Sequence, residues 1–221
     1  MSDVEPLAKR LRTPHAAGAA GILAALLLGA AMVLVRLAIP ERPLDLAAYL
    51  AQTSSREALR AALALLPYGG IFFLWFTGAL RDFIGIREDR FFATVFLGSS
   101  LLYVALLLVF GATGRAFMDT IDAMKDTGRQ GDFHHYGRYL TISILTEYAP
   151  RMAAVFTLIT TTIAARLGLF SRWLIVFGYV VGAVLLLVGR TITWSELLFH
   201  VWVLVVGCFL LTFRRRHRTS A

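Results

Sequence analysis

Apolar positions in this chain run together in long blocks, and polar residues gather in the joints between them. A helix needs roughly 20 apolar residues to cross a hydrocarbon core about 30 Å thick. Six blocks come near that length: Ala16 to Ile39, Ala61 to Leu80, Phe91 to Ala112, Ile142 to Ala165, Trp173 to Gly189 and Trp194 to Phe213. The pattern predicts an all-α fold, a polytopic transmembrane bundle of about six spans. The chain reads as one integral membrane domain over residues 1–221, with a cytoplasmic N-terminal tail at 1–15 and a basic cytoplasmic tail at 214–221.

The joints carry patterns of their own. After Pro43, the run Leu44, Leu46, Ala47, Tyr49 and Leu50 suits a short helix lying in the membrane interface, and Ser54 with Glu57 marks the opening of the second span. Arg115 to Tyr139 places Phe117, Met118, Ile121 and Met124 on one helical face and Asp119, Asp122 and Asp126 on another, which predicts a second interfacial helix ended by Gly128.

Composition narrows the class. Of 221 residues, 58% are hydrophobic and 16% charged, against about 45–50% and about 25% in soluble domains. A soluble enzyme, a disordered chain and a disulfide scaffold are excluded on that ground. The lone Cys208 lies inside an apolar block, where a buried, inert thiol is expected.

The net charge of +8 would raise the question of nucleic acid in a soluble protein. Here the basic residues flank apolar blocks and form no stripe, so they orient the chain in the membrane, and no nucleic-acid partner is expected. With six spans, one side collects Lys9, Arg10, Arg12, Arg81, Arg87, Arg90, Arg166, Arg172 and the Arg214 to Arg218 tail in short segments. The other side has fewer, spread over two longer loops. The first block is too long for a signal peptide and no small-residue cleavage site follows it, so it reads as a retained anchor. Both termini are expected in the cytoplasm of a cell-membrane protein.

The stretch LPYGGIFFLWFTGALRDFIGIREDRFFATVFLGSSLLYVALL, from Leu66 to Leu107, has a Pro followed by small residues, an F-L-W-F run, an R-D turn, G-x-R-E-D-R-F-F-A-T and a Gly-rich third span. Pro67, Trp75, Phe76, Arg81, Asp82, Gly85, Arg87, Glu88, Asp89, Arg90, Phe91, Thr94 and Gly98 occupy those places. In this it resembles a family of small multi-pass membrane proteins of actinobacteria. The resemblance implies kinship and no activity, so it transfers no catalytic residue.

Two groups of residues are candidates for function. The turn with Arg81, Asp82, Arg87, Glu88, Asp89 and Arg90 interleaves both signs, where orientation alone would need no acids. It reads as a cytoplasmic docking surface or a salt-bridged clasp; the alternative is a solvated turn whose pairs contribute about 0–1 kcal/mol each. The second group is ionisable and lies at membrane depth, where charge is costly unless paired or wetted. Arg36, Glu147, Arg151, Arg190, Glu196 and His200 all fall in the outer half of their spans by alternation of topology. Glu147 with Arg151, and Glu196 with His200, are four residues apart on a helix, and Pro150 frees a backbone carbonyl near Thr146. The group reads as an outward-facing polar cluster holding an anionic head group or carboxylate. Read structurally, it is internal pairing of Glu147 with Arg151 and Glu196 with Arg190, and His200 is a packing residue.

Small residues on the first span (Gly18, Gly21, Gly29 and the alanines around them) and the aromatic run Phe72, Phe73, Trp75, Phe76 suit contact with another helix or with lipid. Asp119, Asp122, Asp126, Asp132, His134 and His135 fit no metal-ligand spacing and read as a solvated face. No phosphate loop, nucleophile elbow or dinucleotide fingerprint occurs, so no metal or cofactor is expected. These features point to a non-enzymatic accessory subunit of a larger membrane complex, whose partners are membrane lipids and other membrane-protein subunits. The alternative is a small carrier or lipid-binding protein that uses the outer cluster. An enzyme built on Glu196 and His200 is a third reading.

Overall fold

A computed structural model describes residues 5–38, 53–84, 90–123, 130–188 and 194–212. They are all helical apart from short turns: α1 (Glu5–Ala38), α2 (Thr53–Ile84), α3 (Arg90–Ala123), α4 (Gln130–Ser143), a π turn (Ile144–Tyr148), α5 (Ala149–Arg166), α6 (Arg172–Leu187) and α7 (Leu197–Thr212). Because α4, the π turn and α5 form one continuous rod, the described residues make six rods. Four contain stretches long and apolar enough to cross a membrane, His15–Ala38, Ser54–Ile84, Arg90–Thr120 and Tyr139–Arg166, while α6 and α7 are shorter apolar helices of 16 residues each.

Each rod packs against its neighbours in sequence and α7 closes back on α1, so the six form a ring. The buried positions show why. On α2, Leu59, Ala62, Leu66, Gly69, Phe73, Phe76, Leu80 and Phe83 are buried at alternating steps of three and four. On α1, Ala17, Ala24, Ala31 and Ala38 are fully buried at every seventh residue. That is the 3.5-residue period of left-handed helix pairs. Glycine sets the closest approaches. A Cβ on Gly18 would lie 2.7 Å from the Gly207 carbonyl oxygen, and one on Gly69 2.5 Å from the Leu28 side chain.

An aromatic cluster fills the centre of the ring. Phe73 of α2, Tyr103 of α3, Phe156 of α5 and Phe199 and Trp202 of α7 meet mostly edge to face, with centroids 5.2 Å apart for Phe73–Phe156 and 4.8 Å for Tyr103–Phe199, and Phe96 of α3 lies tilted against Phe156. Such offset geometry adds to what burial alone contributes.

Several expectations from the sequence are corrected here. The close approaches expected of α1's small residues fall within the chain itself, Gly18 against α7 and Gly21 against α2, while Ala16, Ala19 and Ala30 are exposed. Of the aromatic run, Phe73 and Phe76 enter the core and only Trp75 is exposed. Residues 115–123 form no separate interfacial helix; they continue α3, because nothing before Ala123 breaks its backbone bonding. Ser54 lies inside the first turn of α2, which begins one residue earlier. Cys208 is exposed on α7, on the side turned away from the buried Gly207 and Leu210. The stretch after Pro43 lies outside the described residues.

Candidate functional site

The site is assembled where the last turn of α1 meets the start of α7. Arg36 ends α1, and Glu196 belongs to the turn that opens α7. Trp194 in that turn has φ +72°, a left-handed conformation that is costly for a bulky side chain. Backbone bonds from Leu197 N–H to the Trp194 carbonyl (3.0 Å) and from Leu198 N–H to the Ser195 carbonyl (3.1 Å) hold it there. With the chain so bent, Ser195 and Glu196 are both buried. Arg36 Nε donates to Glu196 Oε1 in an ion pair whose acid is 5% exposed and whose base is 21% exposed.

One turn further into α7, His200 is buried and bonded through both ring nitrogens. Nδ1 lies 3.1 Å from the Glu196 backbone oxygen and Nε2 lies 3.3 Å from the Tyr103 hydroxyl. A carbonyl only accepts, so Nδ1 carries the hydrogen; in the neutral ring Nε2 then accepts from the tyrosine. Arg36, Glu196, His200 and Tyr103 thus form a polar line from the half-exposed edge of the bundle to its centre, where the aromatic cluster stops it. Beside the line is a small cavity bordered by Met32, Leu145, Pro150, Glu196 and His200, with room for about one water molecule.

The π turn forms the cavity's other wall. Proline lacks an N–H and its ring clashes with the carbonyl four residues earlier. One wider turn at 144–148, just before Pro150, absorbs that mismatch; Ala149 N–H reaches back to the Ile144 carbonyl. Arg151 Nη1 donates to the Glu147 backbone carbonyl in the same turn.

The structure therefore brings together Arg36, Glu196 and His200 and leaves Arg151 apart. Arg151 is exposed on the outside of α5 and meets no carboxylate among the described residues. The direct pairing of its guanidinium with the Glu147 or Glu196 carboxylate, read from the spacing, is not what forms: the π turn offers a nearer carbonyl. Glu147 is half-buried. Arg190 lies outside the described residues, and Arg36 takes the place expected for it at Glu196. In the charged turn, Arg81, Asp82 and Arg90 are exposed at the opposite end of the bundle, whereas Arg87, Glu88 and Asp89 lie outside the described residues.

The threonine hydroxyls along α5 are buried or half-buried and mostly self-satisfied. Thr157, Thr160 and Thr162 donate to carbonyls four residues back at 2.7–2.8 Å. Asp119 pairs with Arg115, and no cluster of metal-ligating side chains occurs among the described residues.

Sequence reasoning missed Tyr103 and Met32. Tyr103 looked like one more aromatic in an apolar block; its place in the heptad register between Ser100 and Leu107, pointing inward, was the available signal. The fold and site together define a multi-pass, all-helical membrane protein. No family model, no curated protein and no solved structure matches the chain.

Proposed function

We propose that the chain is a non-enzymatic accessory or stabilising subunit of a larger membrane complex, such as a lipid transporter or a respiratory assembly. In this reading it crosses the cell membrane six times with both termini in the cytoplasm. The observation that carries it is how the polar groups at membrane depth are used. Arg36 is committed to Glu196, and His200 is committed to Tyr103 and to its own helix. The space beside them takes about one water. A site that binds and releases a metabolite keeps its donors turned into a cavity of several hundred Å³; these donors hold α1, α3 and α7 to one another.

The outward surface fits a role in assembly. On α2, Tyr68, Ile71, Trp75 and Gly78 are exposed along one side, and among the described residues nothing lies within 4 Å of a Cβ placed on Gly78. An aromatic knob beside a bare glycine suits a partner helix. Asp82, exposed one turn further along α2, continues that side toward the end expected in the cytoplasm. A carrier built on Arg36, Arg151 and Arg190 has weaker support, because Arg36 is already paired and Arg151 stands apart from it. Extraction from native membranes in a mild detergent tests the proposal. Stoichiometric co-purification of other membrane subunits is the expected result, and migration as a free monomer with no companion overturns it.

A further inference from the structure

Arg151 is the exception to this self-sufficiency. Its side chain is exposed on the flank of the α4–α5 rod and uses one donor on the Glu147 carbonyl. A guanidinium has five N–H donors in a rigid fork, so the carbonyl bond fixes the group at the surface and leaves the rest of the fork facing outward. Tyr148, three residues earlier and adjacent on the helix surface, is 57% exposed and presents a phenol on the same flank.

Depth decides what such a group meets. Arg166, whose guanidinium lies 4.4 Å over the Phe92 ring, marks the other end of this rod together with exposed Arg90 and Arg172. Fifteen residues of helix separate Arg151 from Arg166, which is about 22 Å at 1.5 Å per residue. In a hydrocarbon core about 30 Å thick the Arg151 backbone lies about 8 Å short of the far boundary. Helical side chains tilt toward the N-terminus, which here is that boundary, and a long arginine reaches it by snorkelling. The fork then lies level with lipid phosphates, in a geometry that takes two phosphate oxygens at once.

We propose that Arg151, with Tyr148 beside it, binds the phosphate of an anionic glycerophospholipid in the leaflet at the Arg36 end of the bundle. The site is independent of whether the chain is an accessory subunit, because it needs only this rod and a bilayer.

The test uses the full chain in nanodiscs of phosphatidylcholine doped with phosphatidylglycerol, with retained lipids counted by native mass spectrometry. Arg151→Gln is expected to lower the preference for phosphatidylglycerol about fivefold, while Arg166→Gln at the other end leaves a preference dependent on Arg151. An unchanged preference in folded Arg151→Gln overturns the proposal. A second measurement needs no variant: phosphatidylglycerol should slow phenylglyoxal modification of Arg151 in the wild-type chain, and equal rates with and without it overturn the proposal. Millimolar inorganic phosphate giving the same protection in lipid-free detergent would assign the site to free phosphate and overturn the lipid assignment.

Discussion

At the scale of single residues, the pairing of Arg36 with Glu196 is where the chain spends most charge. A carboxylate that is 5% exposed inside an apolar bundle is tolerable only with a partner. Arg36→Ala removes that partner and is expected to destabilise the protein by about 2–4 kcal/mol, since breaking a buried pair costs more than the pair contributes. Arg36 is itself partly exposed, so the lower part of that range applies where water reaches the acid. Replacing both, as Arg36→Met with Glu196→Met, removes the stranded charge and should recover much of the loss. Thermal unfolding in detergent micelles compares the three proteins; a double variant no more stable than Arg36→Ala would show that the pair does more than neutralise itself. From sequence, Glu196 and His200 were legible as buried, cooperating neighbours. The partner was not, because Arg36 and Arg190 end spans on the same side and only the ring closure of α7 on α1 chooses between them.

At the scale of elements, glycine separates contacts that hold helices together from surfaces that face outward. Gly18 and Gly207 bring the α1 and α7 backbones into contact, with a Cβ on Gly207 meeting the Gly18 carbonyl oxygen at 3.0 Å. Backbone cannot give way as a side-chain tip can, so Gly18→Ala is expected to cost about 1–3 kcal/mol by forcing the helices apart. A Cβ on Gly78 meets nothing within 4 Å among the described residues, and Gly78→Ala should be neutral or stabilise α2 by up to about 1 kcal/mol through backbone propensity. Equal effects at the two positions, measured by the same unfolding assay, would contradict this packing. Helix positions were readable from apolar blocks alone, since a membrane span must satisfy its own backbone. Packing partners were harder to read. The heptad register of Leu59 to Phe83 was present in the sequence but hidden among equally apolar outward residues such as Ile71 and Trp75. The π turn also needed coordinates: Pro150 announced a local irregularity, but not whether it would kink the rod or widen one turn.

At the scale of the whole molecule, the ring fixes which ends lie together. Gly18 near the start of α1's apolar stretch touches Gly207 near the end of α7, and Arg36 at the far end of α1 meets Glu196 at the beginning of α7. Chain entry and exit therefore share one end of the bundle with exposed Arg81, Asp82 and Arg90, and the Arg36–Glu196 pair occupies the other. Short segments rich in arginine follow the cytoplasmic side, so the entry and exit end is expected inside the cell. Cys208→Ser removes the only cysteine, and Ser54→Cys, Asp82→Cys and Thr212→Cys then each place one thiol at an exposed helix end. A membrane-impermeant maleimide added to intact cells should label Ser54→Cys, and should reach Asp82→Cys and Thr212→Cys only after permeabilisation. The reverse pattern would invert the orientation. Labelling of Asp82→Cys and Thr212→Cys from opposite sides would mean that α6 and α7, at about 24 Å each, do not both cross the bilayer, and that the six-span reading must give way to one with fewer crossings.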